Sequence, residues 1–209
     1  MAKAFAELTF TPEVRRIQKA QGSAKAYDRF LQPDASADNA FGLREKQFIQ
    51  MRDGFYQATV SETGWPYVQF RGGPRGFLKV LDDKTIAYAD FRGNRQYISA
   101  GNLTKDNRIA MILVDYPNSA RLKILGRVRL IEVSDDPFLI ETLHDDTYRG
   151  RPERAAVITL EGFDWNCPQH LPVRLTMEEM QPILEPFQSE LAQLKEENST
   201  LKAQLARGE

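Results

Sequence analysis

Residues 54–91 read GFYQATVSETGWPYVQFRGGPRGFLKVLDDKTIAYADF, and this stretch decides the fold. Segments 55–61, 67–71, 77–81 and 85–90 alternate at period two, the spacing of β-strands whose side chains point to opposite faces. Thr63-Gly64-Trp65-Pro66, Gly72-Gly73-Pro74 and Asp82-Asp83-Lys84 separate them with turn-forming residues. Downstream, segments 108–116, 121–133 and 155–160 continue the pattern, and two helices, near 94–105 and 135–144, interrupt it. Strands at hairpin spacing with so few helices between them imply an antiparallel barrel, not a doubly wound parallel sheet. Segment 108–116, RIAMILVDY, is apolar on both faces and is expected to be a central strand buried on both sides.

The flanks are helical. Thr11-Pro12-Glu13 is a helix start, because Thr accepts from free N–H groups and Pro at the first position loses no hydrogen bond. Val14, Ile17 and Ala20 are expected to face inward, a second short helix to cover 24–31, and a third to run over 43–51 with Phe48 and Met51 inward. Residues 33–39, PDASADN, are a loop by composition. In the tail, Phe187, Leu191, Leu194, Asn198, Leu201 and Leu205 recur at heptad spacing. That seam suits either pairing with a second copy or packing on the chain's own barrel. The expected division is a helical extension at 1–53, a barrel at 54–175 and a helix at 176–209.

Composition narrows the function. The 28 Lys and Arg nearly balance 29 Asp and Glu, so no global field draws nucleic acid or anionic membrane. No apolar run approaches the roughly 20 residues that span a bilayer. The start MAKAFAELTFTPEVRRIQKAQG has no secretory hydrophobic region. One cysteine, Cys167, and two histidines, His144 and His170, leave no disulfide framework, no Cys- or His-rich metal centre and little scope for histidine catalysis. The expectation is a metal-free cytoplasmic protein.

Chemistry-bearing residues cluster between Tyr67 and Gln169. Gly93-Asn94-Arg95-Gln96 follows a strand and opens a helix; it is either an anion site of free N–H groups and a guanidinium, or a plain turn capped by Asn94. In RLKILGRVR, Arg121, Lys123, Arg127 and Arg129 share one strand face, a solvated face from which Arg121, at the strand start, is placed to reach a bound phosphate. Gln69 and Arg71 point opposite to Val68 and Phe70, and the Gly72-Gly73-Pro74-Arg75 run suits a barrel-corner bulge, close backbone approach by a planar ligand, or both. Trp165 either covers a flat ring, with Asn166 and Gln169 donating to its carbonyls, or closes the last strand as a buried tryptophan.

The order of these segments, from the Gly-Gly-Pro strand through FLKVLDDKTIAYADFRGNRQ and NLTKDNRIAMILVD to RLKILGRVRLI, resembles the pyridoxamine 5′-phosphate oxidase-like superfamily of FMN-binding split barrels. It looks closest to the branch of predicted FMN-binding proteins. The oxidase's C-terminal Arg-x-His is not reproduced in CPQHLPVRLT. The resemblance implies a mainly β split barrel with flanking helices, and FMN at a homodimer interface. It places Arg95 on the phosphate, Gln96 where the family has lysine, and Arg121 in the phosphate region. Asp90, where the family has a hydroxyl residue, is expected to meet ribityl hydroxyls or an arginine, since a carboxylate repels phosphate. Gln69, Arg71, Gly73, Pro74 and Arg75 would border the isoalloxazine, with Asn94 in the phosphate turn and Trp165, Asn166 and Gln169 at the far edge from the partner subunit.

Three functions follow from this reading. One is an oxidoreductase passing hydride or electrons between FMN and a small substrate, O₂ or nicotinamide. Another is a noncatalytic module storing or sensing FMN, a deazaflavin or haem. The third, nucleic-acid binding through the 121–129 face, is opposed by the balanced charge and the lack of interleaved aromatics.

Overall fold

Period-two alternation becomes strand wherever it was read. The computed structural model describes residues 3–32 and 39–208. Strand β1 spans Gly54–Val60, β2 Pro66–Gly72, β3 Lys79–Val80, β4 Thr85–Phe91, β5 Arg108–Asp115, β6 Ala120–Glu132 and β7 Pro152–Asn166. Helices α1 (Lys3–Thr9), α2 (Pro12–Ala20), α3 (Ala24–Asp28) and α4 (Leu43–Gln50) precede them; α5 (Ile98–Lys105) and α6 (Pro137–Leu143) interrupt them, and α7 (Met177–Arg207) follows. The loop expected at 33–39 lies, apart from Asn39, outside the described residues.

The sheet order is β2-β1-β5-β6-β7-β4-β3 and every pairing is antiparallel. The fold is mainly β with flanking helices, as expected. Tyr88 on β4 donates its hydroxyl to Gln57 Oε1 on β1 at 2.8 Å, and these strands lie near opposite ends of the sheet order. Such a contact requires the sheet to curl toward closure, which removes exposed edges. Inside the curl, Phe55 stacks on Phe77 with centroids 5.7 Å apart, and Tyr88 meets both rings edge-on.

The described residues up to Asp115 and from Ser119 to Gln169 form one body; Tyr116–Asn118 and the described residues from His170 onward form a second. Within the first body, α4 is held by charge and ring contacts. Arg52, just past its end, reaches Asp115 at 2.9 Å and the Val114 carbonyl at 3.2 Å. Buried Glu45 accepts from Trp165 Nε1 at 2.7 Å. Helix α1 lies so close to β7 that a Cβ on Gly162 would fall 2.8 Å from the Phe5 nitrogen, an approach only glycine permits. In the second body, Thr176 and Glu179 cap α7 reciprocally.

Three packing expectations are corrected. On β5, Ile109, Met111 and Leu113 are buried, but Ala110 is exposed and Ile112 and Val114 are only half-buried. The strand covered on both faces is β4, because α6 lays Ile140 and Leu143 against Ala87 and Ala89 while Ile86 and Tyr88 face the barrel core. On α2, Val14, Ile17 and Ala20 stay exposed, since it packs chiefly on short α3, where Arg15 pairs with Asp28. On α4 the buried pair is Glu45 and Ile49, one turn apart, while Met51 caps the end in solvent and Phe48 packs as expected against the core.

Candidate functional site

Strand β2 presents Tyr67, Gln69 and Arg71 on one face, as alternation requires, and these line a cleft with Asp90 and Phe91 from β4 and the turn entering α5. The cleft holds about 230 Å³. At its back, Arg71 Nη1 lies 2.7 Å from Asp90 Oδ1, with Arg154 Nε 4.0 Å from Oδ2. Burial pushes the Asp90 carboxyl above its ordinary 3.8, and Arg71 and then Arg154 pull it part of the way back. Asp90 thus meets an arginine, one of its two expected partners. Among the described residues the buried Nε atoms of Arg71 and Arg154 have no hydrogen-bond partner, though Arg154 Nε also lies 3.6 Å from Glu132 Oε1.

Polar contacts set the entry of α5. Ser99 donates to Gln69 Oε1 at 2.9 Å and buried Asn102 to Thr59 Oγ1 at 3.0 Å, docking the helix on β1 and β2. The helix begins at Ile98, four residues later than expected, and no side chain caps it. Asn94 is therefore not the cap; its Oδ1 accepts from Gln96 N at 3.2 Å in a local turn. Arg95 and Tyr97 sit at φ 62° and 53°, left-handed conformations that no helix continues through and that cost a non-glycine residue energy. The turn aims Arg95 outward. Its Nε donates to the Tyr97 hydroxyl at 3.2 Å, and that hydroxyl donates to Glu153 at 3.2 Å. Arg95 makes no ion pair among the described residues, so its charge is available beside the free N–H groups of the first helical turn.

Gln69, Arg71, Asp90, Asn94, Arg95 and Gln96 therefore converge on one cleft. The other expected residues do not line it. Gly73 N–H donates to the Asp53 carbonyl, Pro74 O accepts from Phe77, and Gly76 N–H next to Arg75 donates to Arg52 O, so this segment clasps the end of α4. Arg121, paired in register with Asn166, donates to the carbonyls of Cys167 at 2.5 Å and Gln169 at 3.2 Å. Trp165 stands edge-on to Phe48, with Arg44 over its ring at 4.0 Å. These residues form a second group at the β6–β7 end.

Alternation along 67–71 already carried the signal for Tyr67. Tyr97 and Ser99 follow directly on the Gly93–Gln96 turn, whereas Arg154 and Glu153 reach the site only through the β4–β7 register, which nothing local encodes. Among the described residues no helix is long and apolar enough to cross a membrane, and no His, Cys, Asp and Glu group is arranged to hold a metal.

Residues 44–159, more than half of the chain, match the family described as pyridoxamine 5′-phosphate oxidase. The chain belongs to this family. Among solved structures, Group A Streptococcus HupZ is similar at TM-score 0.50 and 17% identity, over 65% of this chain and 99% of that one. An FMN-binding protein from Syntrophomonas wolfei gives 0.46 and 13%, over 74% and 97%. A Clostridium acetobutylicum protein related to general stress protein 26, of the pyridoxinephosphate oxidase family, gives 0.44 and 17%, over 66% and 95%. No curated protein matches the sequence. The likeness to HupZ establishes the fold, and the matched residues carry β1 to β6 and most of β7, including every residue lining the cleft. The oxidase-family chain is thus a split barrel.

Proposed function

We propose that this protein binds FMN, with its phosphate at the turn entering α5, and works as a flavin-dependent oxidoreductase on a small substrate or nicotinamide. The observation that carries the reading is Arg95, held in a left-handed turn beside an uncapped helix start, its guanidinium bonded to the Tyr97 hydroxyl but in no ion pair among the described residues. That donor set suits a dianionic phosphate. Arg71 and Asp90 offer neutralised, partly desolvated hydrogen-bonding groups suited to uncharged hydroxyls, in keeping with a ribityl chain. Bound FMN would supply hydride or electron transfer, while the chain binds and orients it.

Two features support a homodimer with the flavin at its interface. A cleft of about 230 Å³ falls below the roughly 300–1,000 Å³ of enclosed ligand pockets, in keeping with a second subunit completing the burial of the cofactor. The outer face of β1, β2 and β5, on the side opposite Gln69 and Arg71, offers Tyr56, Val68, Phe70 and Ala110 to solvent, an apolar patch that supports a homodimer without fixing where the flavin lies in it. Trp165, Asn166, Gln169 and Arg121, which lie away from the cleft of their own chain, would then border the flavin from the partner subunit, and Gly73, Pro74 and Arg75 belong to the frame of the site.

The test is the absorbance spectrum of freshly purified protein, with mass identification of the chromophore, followed by FMN titration of Arg95→Ala. Flavin bands and about tenfold or weaker binding by the variant are expected. A colourless protein that takes up no FMN overturns the reading, and a variant that binds unchanged overturns the phosphate assignment. Oxidation of NAD(P)H by the loaded protein separates an enzyme from a storage or sensing module.

A further inference from the structure

The last helix of the chain carries the second observation. None of the residues of α7 is buried, and Leu191, Leu194, Leu201 and Leu205 are each more than half exposed along one line. From Phe187 onward their spacing defines a heptad, with Leu191, Asn198 and Leu205 at a, and Phe187, Leu194 and Leu201 at d. The positions beside this seam are then fixed: Glu190 and Glu197 at g, Lys195 and Lys202 at e.

Those charges lie five residues apart, Glu190 before Lys195 and Glu197 before Lys202. Within one helix, side chains meet at separations of three or four, not five. No glutamate between 185 and 197 has a lysine or arginine three or four residues after it, and no ion pair involves Glu190, Glu197, Lys195 or Lys202 among the described residues. Five is the separation at which a g residue of one strand faces the following e residue of another in a parallel coiled coil. In an antiparallel pair the same positions would set g against g and e against e, Glu on Glu and Lys on Lys. Asn198 adds the register: a polar residue at one a position favours two strands in which it faces its own copy.

We infer that residues 187–205 pair with the same segment of a second copy as a parallel, in-register, two-stranded coiled coil. The partner is identified by self-complementarity. An acidic g row meets a basic e row only when the strands run together, and the four exposed leucines are covered at the same time. This assignment is independent of the flavin reading, because no residue of the cleft takes part in it.

Disulfide trapping in the full chain tests it. In a Cys167→Ser background, Leu201→Cys places the new thiol at a d position facing itself across the pair, and Ser199→Cys places it on the outer side as a control. Under mild oxidation Leu201→Cys is expected to form covalent dimer about tenfold faster than the control, as a high effective concentration dictates. Glu190→Lys with Glu197→Lys should bring the rate down to the control, and adding Lys195→Glu with Lys202→Glu should restore it. A rate equal to the control, or one indifferent to the charge reversal, overturns the proposal. So does faster trapping of mixed Phe187→Cys and Leu205→Cys chains, a d and an a position that face each other only in an antiparallel pair. A gel reads all of these without flavin, so their failure leaves the cofactor assignment standing, and the reverse also holds.

Discussion

Arg71 on β2 and Asp90 on β4 form a salt bridge at 2.7 Å although their strands lie toward opposite ends of the sheet order. With Tyr88 and Gln57 just beneath it, the pair draws the split side of the barrel together at the level of the cleft. Arg154 enters from β7, next to β4, so the single carboxylate faces two guanidiniums. A closure made from charged groups is weaker per unit area than one made from packed leucine. It also leaves polar groups where a ligand can use them.

The pH dependence of stability should report this carboxyl. Desolvation raises the folded-state Asp90 pKa above its ordinary 3.8, against the pull of Arg71 and Arg154. Between those two values the folded protein holds more protons than the unfolded chain, so this group's contribution to stability falls as pH rises through the window. It is most favourable below 3.8 and fully lost above the folded value. Asp90→Asn removes the titration. Thermal unfolding across a pH series should therefore show the melting temperature of the variant, relative to the parent, climbing from acid toward neutrality. A difference that stays flat or declines would reverse the assigned direction.

Gly73 should prove intolerant for a reason unrelated to ligand approach. A Cβ there would sit 2.7 Å from Cγ of Phe77, whose ring stacks on Phe55 in the core. Both rings are buried, so Gly73→Ala should lower unfolding free energy by about 1–3 kcal/mol, the usual cost of overpacking. Urea unfolding measures this. Any flavin bound by the variant should keep its ordinary affinity, because Gly73 does not line the cleft. A stable variant with weakened flavin binding would move Gly73 into the site.

Local pattern accounts for much of this architecture. Strand positions, the Thr11 cap and the β-rich middle follow from alternation and turn residues, which depend on near neighbours. Readings failed where a distant element decides. RIAMILVDY is apolar throughout, yet it is β4 that is covered twice, because α6 returns to that side. Asn94 resembles a cap by composition, but the left-handed Arg95 and Tyr97 delay the helix to Ile98. At the cleft, Gln69, Arg71, Asp90 and Arg95 were legible because each lies within the recognisable 67–96 stretch. Arg154 was not, since only the β4–β7 register sets it opposite Asp90. Trp165 is bonded to Glu45 and stands edge-on to Phe48, contacts with α4 that only the fold brings together.

The apolar outer face gives a prediction about assembly. Val68 is 62% exposed and Phe70 57%, and Tyr56 meets Phe70 edge-on at 5.2 Å. Ala58 pairs in register with both Val68 and Ala110, so the patch runs unbroken over β2, β1 and β5. Burying each such side chain against a second copy is worth about 1.5–3 kcal/mol, whereas an aspartate in the middle of the contact would be desolvated without a partner. The full chain is unsuited to this test, because α7 offers a second means of pairing. A chain ending at Leu184 lacks the heptad seam and should remain dimeric by sedimentation, held by the barrel face. Val68→Asp in that shortened chain should sediment as monomer, with its circular dichroism unchanged because Val68 faces solvent in the protomer. A shortened parent already monomeric would mean that α7 dominates assembly. A dimeric, folded Val68→Asp chain would place the interface on another face of the barrel.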